Sequence, residues 1–432
     1  MSLCQIRSKV MMGAGISRTG IDTVSGFGLK IFSEDQVRAV HYATLEVLQD
    51  VGIRVESEEA LEIFHDSGAS IEKAKGYGIV RFPPHLVEDC IRSAPFPVTW
   101  YGRDPANDFK AELRRVGFST FGECIQLTDP YTLELRPATK KDLADATRVC
   151  DSLDEMAVVE RALGSLDQYS ESQSLHNFEA MATNTSKHIF LGFNDRESAK
   201  RIIEMAGACV GGMENLRRKP ILTAFVCPTS PLELVRKCTD VIIECARSGI
   251  GVSPISMVLL PCWVGGGHSD SKLPDAQAAY ESGLTATVSA LAGANIIYGA
   301  GCFESGLSFD YAKLIMDCEE IRMIRHTIKG INVTDYEMAV NVIKEVGPGG
   351  EYLTHQHTYE NMKNMSRSDL FDRRRRDSWM EKTGGKTLTE RAYDEARRIL
   401  ESHRPLPLPG GAAETMRAII EEYESERTAS RQ

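Results

Sequence analysis

The stretch DAQAAYESGLTATVSALAGANIIYGAGCFESGLSF, residues 275–309, holds one full turn of the pattern that decides the fold. An amphipathic helix over Asp275–Leu291 feeds a short apolar strand over Asn295–Gly299. Gly299 and Gly301 follow and let the backbone turn sharply before Phe303-Glu304-Ser305-Gly306. The same alternation recurs on both sides. Strands read near Val116–Thr120, Met156–Ala162, His188–Phe193, Pro220–Val226 and Gly251–Met257. Helices fill the intervals at Lys140–Asp151, Glu171–Ser186, Ser198–Cys209, Leu232–Ser248 and Asp310–Lys329. Two weakly marked strands, Gly330–Val333 and Glu351–Thr354, complete eight β-then-α units. The spacing therefore predicts an α/β fold of the TIM (β/α)8 barrel kind over residues 111–400. A doubly wound open sheet is the rival, but no GxGxxG follows a strand to favour a dinucleotide site.

Before the barrel, residues 1–110 read as an N-terminal arm and a helical cap. Residues 1–32 are rich in Gly and Ser, and Met1-Ser2-Leu3 reads as a cloning remnant. Ser33 and Gln36 have capping-box spacing, and Gly52 stops the helix they start. A second helix fits Glu58–Ser67, and Pro83-Pro84 opens a third. After the barrel, residues 401–432 form a tail with a helix over Ala412–Glu424, packed outside the barrel or on a partner subunit.

A chain of 432 residues with 42% hydrophobic content can bury a large core. The net charge of −11 gives no reason to expect nucleic acid or a membrane surface as partner. No uninterrupted apolar run is long enough to span a bilayer, and the N-terminus lacks a signal-peptide core. The eleven cysteines include no CxxC pair and lie in apolar segments, as reduced cytoplasmic thiols do. A zinc site is not expected, and no metal is assigned.

Three clusters could carry chemistry. Glu304 would stand on the rim of a barrel, where polar residues just after a strand face the ligand; a plain loop carboxylate is the alternative. In GPGGEYLTHQHT, residues 347–358, His355 and His357 fall on one side of an extended segment. They fit hydrogen bonding to a carboxylate, a metal pair or a structural pair. In VTWYGRDP, residues 98–105, Tyr101 and Asp104 offer a ring face and a carboxylate to a cation, although Asp104-Pro105 equally starts a turn. Gln168, in Asp167-Gln168-Tyr169 after the second strand, is a further candidate. The run Arg373–Arg376 reads as a solvated face or a docking patch.

These segments, together with LEVLQDVGIRVESEEAL, RPATKKDLADATRVCDSLD and KPILTAFVCPTSPL, resemble the trimethylamine:corrinoid methyltransferase superfamily. DAQAAYE, CFESG and the His-x-His pair are most similar to its glycine betaine branch, which lacks pyrrolysine. The resemblance implies a methyltransferase that moves a methyl group from a small methylated amine to the Co(I) corrinoid of a separate partner protein. It further implies no corrinoid held tightly by this chain, and a homo-oligomer. A quaternary ammonium leaves as a neutral tertiary amine, so no acid or base is required of the protein. On this reading Asp104 and Glu304 face the cationic head, Tyr101 walls the cage, Gln168 lies beside it, and His355 and His357 hold a carboxylate. Trimethylamine, carnitine and proline betaine are alternative donors. A non-catalytic quaternary-amine binding protein and a metal-dependent barrel hydrolase are the rivals of another class.

Overall fold

The helices of the body start where a side chain can take the free amides of the first turn. Thr139 and Asp142 form a capping box at α1 (Lys140–Ser152), and Asp195 and Ser198 do the same at α3 (Arg196–Cys209). Asp275 and Asp310 accept from the first-turn amides Ala278 N and Lys313 N at α5 (Ala276–Ala292) and α6 (Tyr311–Lys329). Left-handed Gly249 and Gly293 end α4 (Arg236–Ser248) and α5, since a residue with a Cβ is strained there. Helix α2 (Gln173–Asn184) lies between α1 and α3. The computed structural model describes residues 28–112, 115–254, 262–365 and 368–429.

Between these helices run, among the described residues, seven mutually parallel strands: β1 (Gly117–Thr120), β2 (Val159–Glu160), β3 (Ile189–Gly192), β4 (Leu222–Val226), β5 (Gly251–Pro254), β6 (Trp263–Gly265) and β7 (Ile296–Ala300). Ladders join β2 to β3, β3 to β4, β4 to β5, β6 to β7 and β7 to β1. A parallel bridge between Phe118 and Met156 links β1 to the start of the β2 segment. The order is thus circular and is broken between β5 and β6, where no pairing is found among the described residues. The sequence predicts eight strands; Gly330–Val333 and Glu351–Thr354 form none. Residues 335–361 fold instead as three short helices, Asp335–Met338, Val340–Val346 and Gln356–Asn361. In the Gly-Pro-Gly-Gly run at 347–350 the three glycines supply no side chains to pack and Pro348 no amide to pair. Part of the expected strand Gly251–Met257, and all of residues 1–27, lie outside the described residues.

The cap is not purely helical. Helices Glu34–Glu46, Glu58–Asp66 and Pro84–Ser93 are accompanied by the antiparallel strands Ile53–Val55, Tyr77–Arg81 and Ser70–Ala74. Glu233–Leu234 of the body adds a parallel strand to this sheet, which ties the cap to it. Ser70–Ala74 reads SIEKA and is mostly exposed, so its composition carries no strand signal.

A hairpin, Val98–Trp100 with Phe109–Ala111, closes the end where the strands begin. Trp100 packs edge-on against Phe190 and Trp263, at ring-centre distances of 5.4 and 6.1 Å, and stacks on Phe109. Arg103 locks this floor. Its guanidinium donates to the carbonyls of Thr185, Leu406 and Pro407. The tail packs on the outside of the body. Helix α7 (Leu388–Ser402) lies against α6, and α8 (Ala412–Ala429) lies against α3 and α2. Met416, Ile420 and Tyr423 of α8 are buried, and Glu424 accepts from Ser172 and pairs with His176.

Trp100→Ala removes the floor's central ring from a closely packed aromatic cluster. It should lower stability by about 3–5 kcal/mol. The check is the urea midpoint, which should fall while the slope of the transition stays constant.

Candidate active site

The C-terminal ends of β1 to β4 open onto a cavity of about 640 Å³, whose lining includes Phe121, Glu123, Glu160, Arg161, Phe190 and Phe225. Strand ends face one way in a parallel arrangement, so residues that follow different strands meet here. Phe121 and Glu123 follow β1, Glu160 ends β2, and Phe190 and Phe225 point inward from β3 and β4.

Glu160 is the unusual group. Its side chain is buried, and its Oε2 has no hydrogen-bond partner among the described residues. Burial pushes its carboxyl well above the usual range, an effect opposed by the Gly122 amide and reinforced by the Glu123 carboxylate. Burial thus favours the protonated form of this carboxyl. Arg161 beside it is also buried, pairs with the exposed Glu123, and leaves its Nε without a partner among the described residues. Tyr298 of β7 stacks on Phe121 at 5.4 Å, and the neutral His268 stacks on Tyr298 at 6.3 Å. Burial, then the Lys313 ammonium, lowers the His268 imidazole below its ordinary range.

Strain gathers on this rim. Glu123, Glu304 and Ser305 hold φ of 91°, 54° and 53°, a region that residues with a Cβ seldom occupy. Gly306, at φ 89°, approaches Phe121 so closely that an added Cβ would lie 2.7 Å from its ring. Such a rim holds its loops in one geometry around a buried carboxyl and a set of ring faces. That arrangement suits an organic cation: the rings offer their negative faces, and the carboxyl can ionise against the charge.

The residues singled out in the sequence divide into three places. Glu304 stands on this rim, two residues from Gly306, with its Oε2 accepting from Gln126 at 3.0 Å and Ser308 at 2.6 Å. Gln168 sits in the turn after β2, its amide on the Ser165 carbonyl, and Gln173 just beyond lines the cavity. Tyr101 and Asp104 lie at the opposite end, by the strand starts. The Tyr101 carbonyl contacts His188 Nδ1, and the Asp104 carboxylate caps the Ala106 amide, which is the turn arrangement. His355 and His357 belong to the outlying short helices. His355 caps the His357 amide and faces Glu345 at 3.6 Å, while His357 Nε2 contacts the Tyr336 carbonyl. The structure therefore does not bring the histidines to Glu304. Arg374 pairs with Asp372, as a solvated face does.

Glu160 and the aromatic walls went unnoticed in the sequence. The signal available was Glu160-Arg161 at the end of the apolar run MAVVE, together with Phe121-Gly122-Glu123 just after β1. Among the described residues no group of three His, Cys, Asp or Glu is placed to hold a metal, and no helix is long and apolar enough to cross a membrane.

Parallel strands in circular order, with a ligand cavity at their ends, define a β/α enzyme architecture. The chain belongs to the trimethylamine methyltransferase (MTTB) family, whose profile matches residues 21–260 and, as a second stretch, 256–428; it is a methyltransferase. The trimethylamine methyltransferase MttB of Desulfitobacterium hafniense (strain DSM 10664 / DCB-2) is 39% identical over 98% of this chain and 99% of its own length. That alignment spans 500 positions against a chain of 432 residues, so at least 68 positions of the relative face no residue here. A glycine betaine methyltransferase of D. hafniense (strain Y51) is 25% identical, over 90% of this chain and 96% of its own. Among solved structures, the monomethylamine methyltransferase MtmB of Methanosarcina barkeri superposes with a TM-score of 0.46 at 10% identity, covering 92% of each chain.

Glu160 gives a stability signature with a definite sign. Its folded-state carboxyl is raised, so ionising it costs more in the folded chain than in the unfolded one. Stability falls as pH rises past the ordinary carboxylate range. Glu160→Gln should match the parent near pH 4 and be more stable than it at pH 8 by thermal melting; equal melting temperatures at both pH values would contradict the assignment.

Proposed function

We propose that the mouth cavity takes a quaternary ammonium bearing a carboxylate, glycine betaine or a near relative, and that the chain passes one of its methyl groups to a corrinoid carried by a partner protein. The observation that carries this reading is the buried, half-unpartnered Glu160 carboxyl set among Phe121, Phe190, Phe225 and Tyr298. A cation entering this box makes the ionised form of Glu160 favourable and releases its proton. Arg161 stands next to Glu160 and can exchange its pairing with Glu123 for one with the donor's own carboxylate. Glu304 and Gln168 remain rim groups around the bound head.

The reduced cobalt of the partner's corrinoid supplies the nucleophile that accepts the methyl group. The residues of this chain orient one N–CH3 bond toward the open mouth and keep water from the cationic face. The nitrogen keeps the bonding pair and the product leaves as a neutral tertiary amine, so no proton is moved during transfer. The circular strand order supports reading the body as a barrel of the (β/α)8 kind. Trimethylamine is a second reading, favoured by the 39%-identical relative's name and by the raised carboxyl of Glu160, a proton source of the kind a tertiary amine requires before dimethylamine departs.

The test mixes the purified chain with a reduced corrinoid protein and, separately, glycine betaine, carnitine, proline betaine and trimethylamine. Methylation of cobalt is followed by absorbance. Turnover with trimethylamine alone would overturn the quaternary-amine reading. If Glu160 ionises on binding, affinity for the quaternary donor should rise with pH by up to about tenfold per unit below the carboxyl's pKa. Glu160→Gln should remove that dependence and weaken binding, as titration calorimetry will show.

A further inference from the structure

Residues 331–365 form an outgrowth between α6 and α7 that a single chain leaves uncovered. No side chain in it is buried, and its three helices span only four, seven and six residues. Helices that short do not hold alone in water. Local contacts tie them to one another. Tyr336 packs on His357 at 4.8 Å and donates to Glu360 at 2.8 Å, Asn361 donates to Tyr336, and His355 faces Glu345. The hydrogen bonds found for this segment among the described residues join its own parts.

What the outgrowth presents is apolar. Ile331 is 91% exposed, Leu353 81% and Tyr359 69%, and Val333, Met362 and Met365 are exposed as well. Eleven large apolar side chains of the segment are exposed, on the order of 1,000 Å² together, which matches the roughly 800 Å² that each partner brings to a stable dimer.

Its place on the body narrows what covers it. Helix α6 leads into it at the strand-start end, where Arg325 donates to the carbonyls of Asp154 and Glu155 ahead of β2. The chain returns to the same end, with Ser368 donating to Glu319 and Asp369 pairing with Arg322. The cavity holding Glu160 opens at the other end, so a carrier visiting the mouth has no need of this surface. Such a carrier must also leave, and surfaces that part repeatedly are more polar than permanent ones. An apolar face of this size left bare invites aggregation, so its cover has to arrive in equal amount with every folded chain. A second copy meets that condition.

We propose that residues 331–365 are the self-association surface of this protein, each copy burying its outgrowth against that of another. A two-fold axis brings the same side chains face to face. The GPGGEYLTHQHT segment then serves assembly: His355 and His357 hold the short helices together, while Leu353 and Tyr359 supply the apolar contact. This role does not depend on which donor the mouth cavity takes.

Sedimentation equilibrium of the full chain over a range of concentrations should give twice the 47.8 kDa of one chain, or a higher multiple. Leu353→Glu combined with Tyr359→Glu should lower that mass at least twofold; Leu353→Ser with Met362→Ser is the milder pair if the glutamates unfold the chain. The conservative pair Leu353→Met and Tyr359→Phe should keep the parent's mass. A parent of 47.8 kDa at every concentration would overturn the proposal, as would folded variants that keep the parent's mass. Variants that keep that mass yet lose methyl transfer to a corrinoid protein would give the surface to the carrier instead.

Discussion

The structure depends on the position of β1. Gly117–Thr120 is the first strand of the ring in sequence, yet it pairs with β7, the last, and touches the β2 segment on its other edge. Parallel strands cannot turn back on themselves, so each must be followed by a covering helix before the next can join. The first and last strands of the circular order pair only when residues nearly 180 positions apart meet, as Gly117 and Ile296 do. Asn295 helps to fix that meeting, its side chain donating to the Arg115 carbonyl and accepting from the Cys262 amide. Nucleating such a contact is entropically costly, and the floor cluster around Trp100 and Phe190 supplies the apolar burial that offsets it.

The site uses the same geometry. Strand direction delivers the ends of four separate chain segments to one mouth, where burial rather than ion pairing decides the state of Glu160. A carboxyl with a salt-bridge partner would stay charged and would gain little from a bound cation. One held in apolar surroundings keeps its proton until a charge arrives, so its interaction with the ligand is available only when the ligand is present.

Much of the helical layer was legible beforehand because caps and periodicity are local. Ser33 with Gln36, Asp275 and Asp310 all start helices where the sequence places them. The sequence also located six of these strands but not Trp263–Gly265, because the number of strands is a property of the ring; Gly330–Val333 had no neighbour to pair with. The candidate site was less legible. Glu304 sits on the rim because it follows a strand, while Asp104 and the His355–His357 pair attracted notice by residue type alone. Their partners, the Ala106 amide, Glu345 and the Tyr336 carbonyl, are local. What marks Glu160 is an Oε2 with no hydrogen-bond partner among the described residues, and that depends on packing between β1, β2 and β7 that no local pattern reports.

Arg103 has a meaning for the order of assembly. Its guanidinium needs carbonyls at Thr185, Leu406 and Pro407 before its charge is matched in a partly buried place. Residue 103 leaves the ribosome roughly three hundred residues ahead of the last two. Until they arrive, the hairpin that floors the body can dock only with a buried cation incompletely satisfied. The floor is thus held open to revision during synthesis and set at its end, which makes the C-terminal segment the step that commits the whole fold.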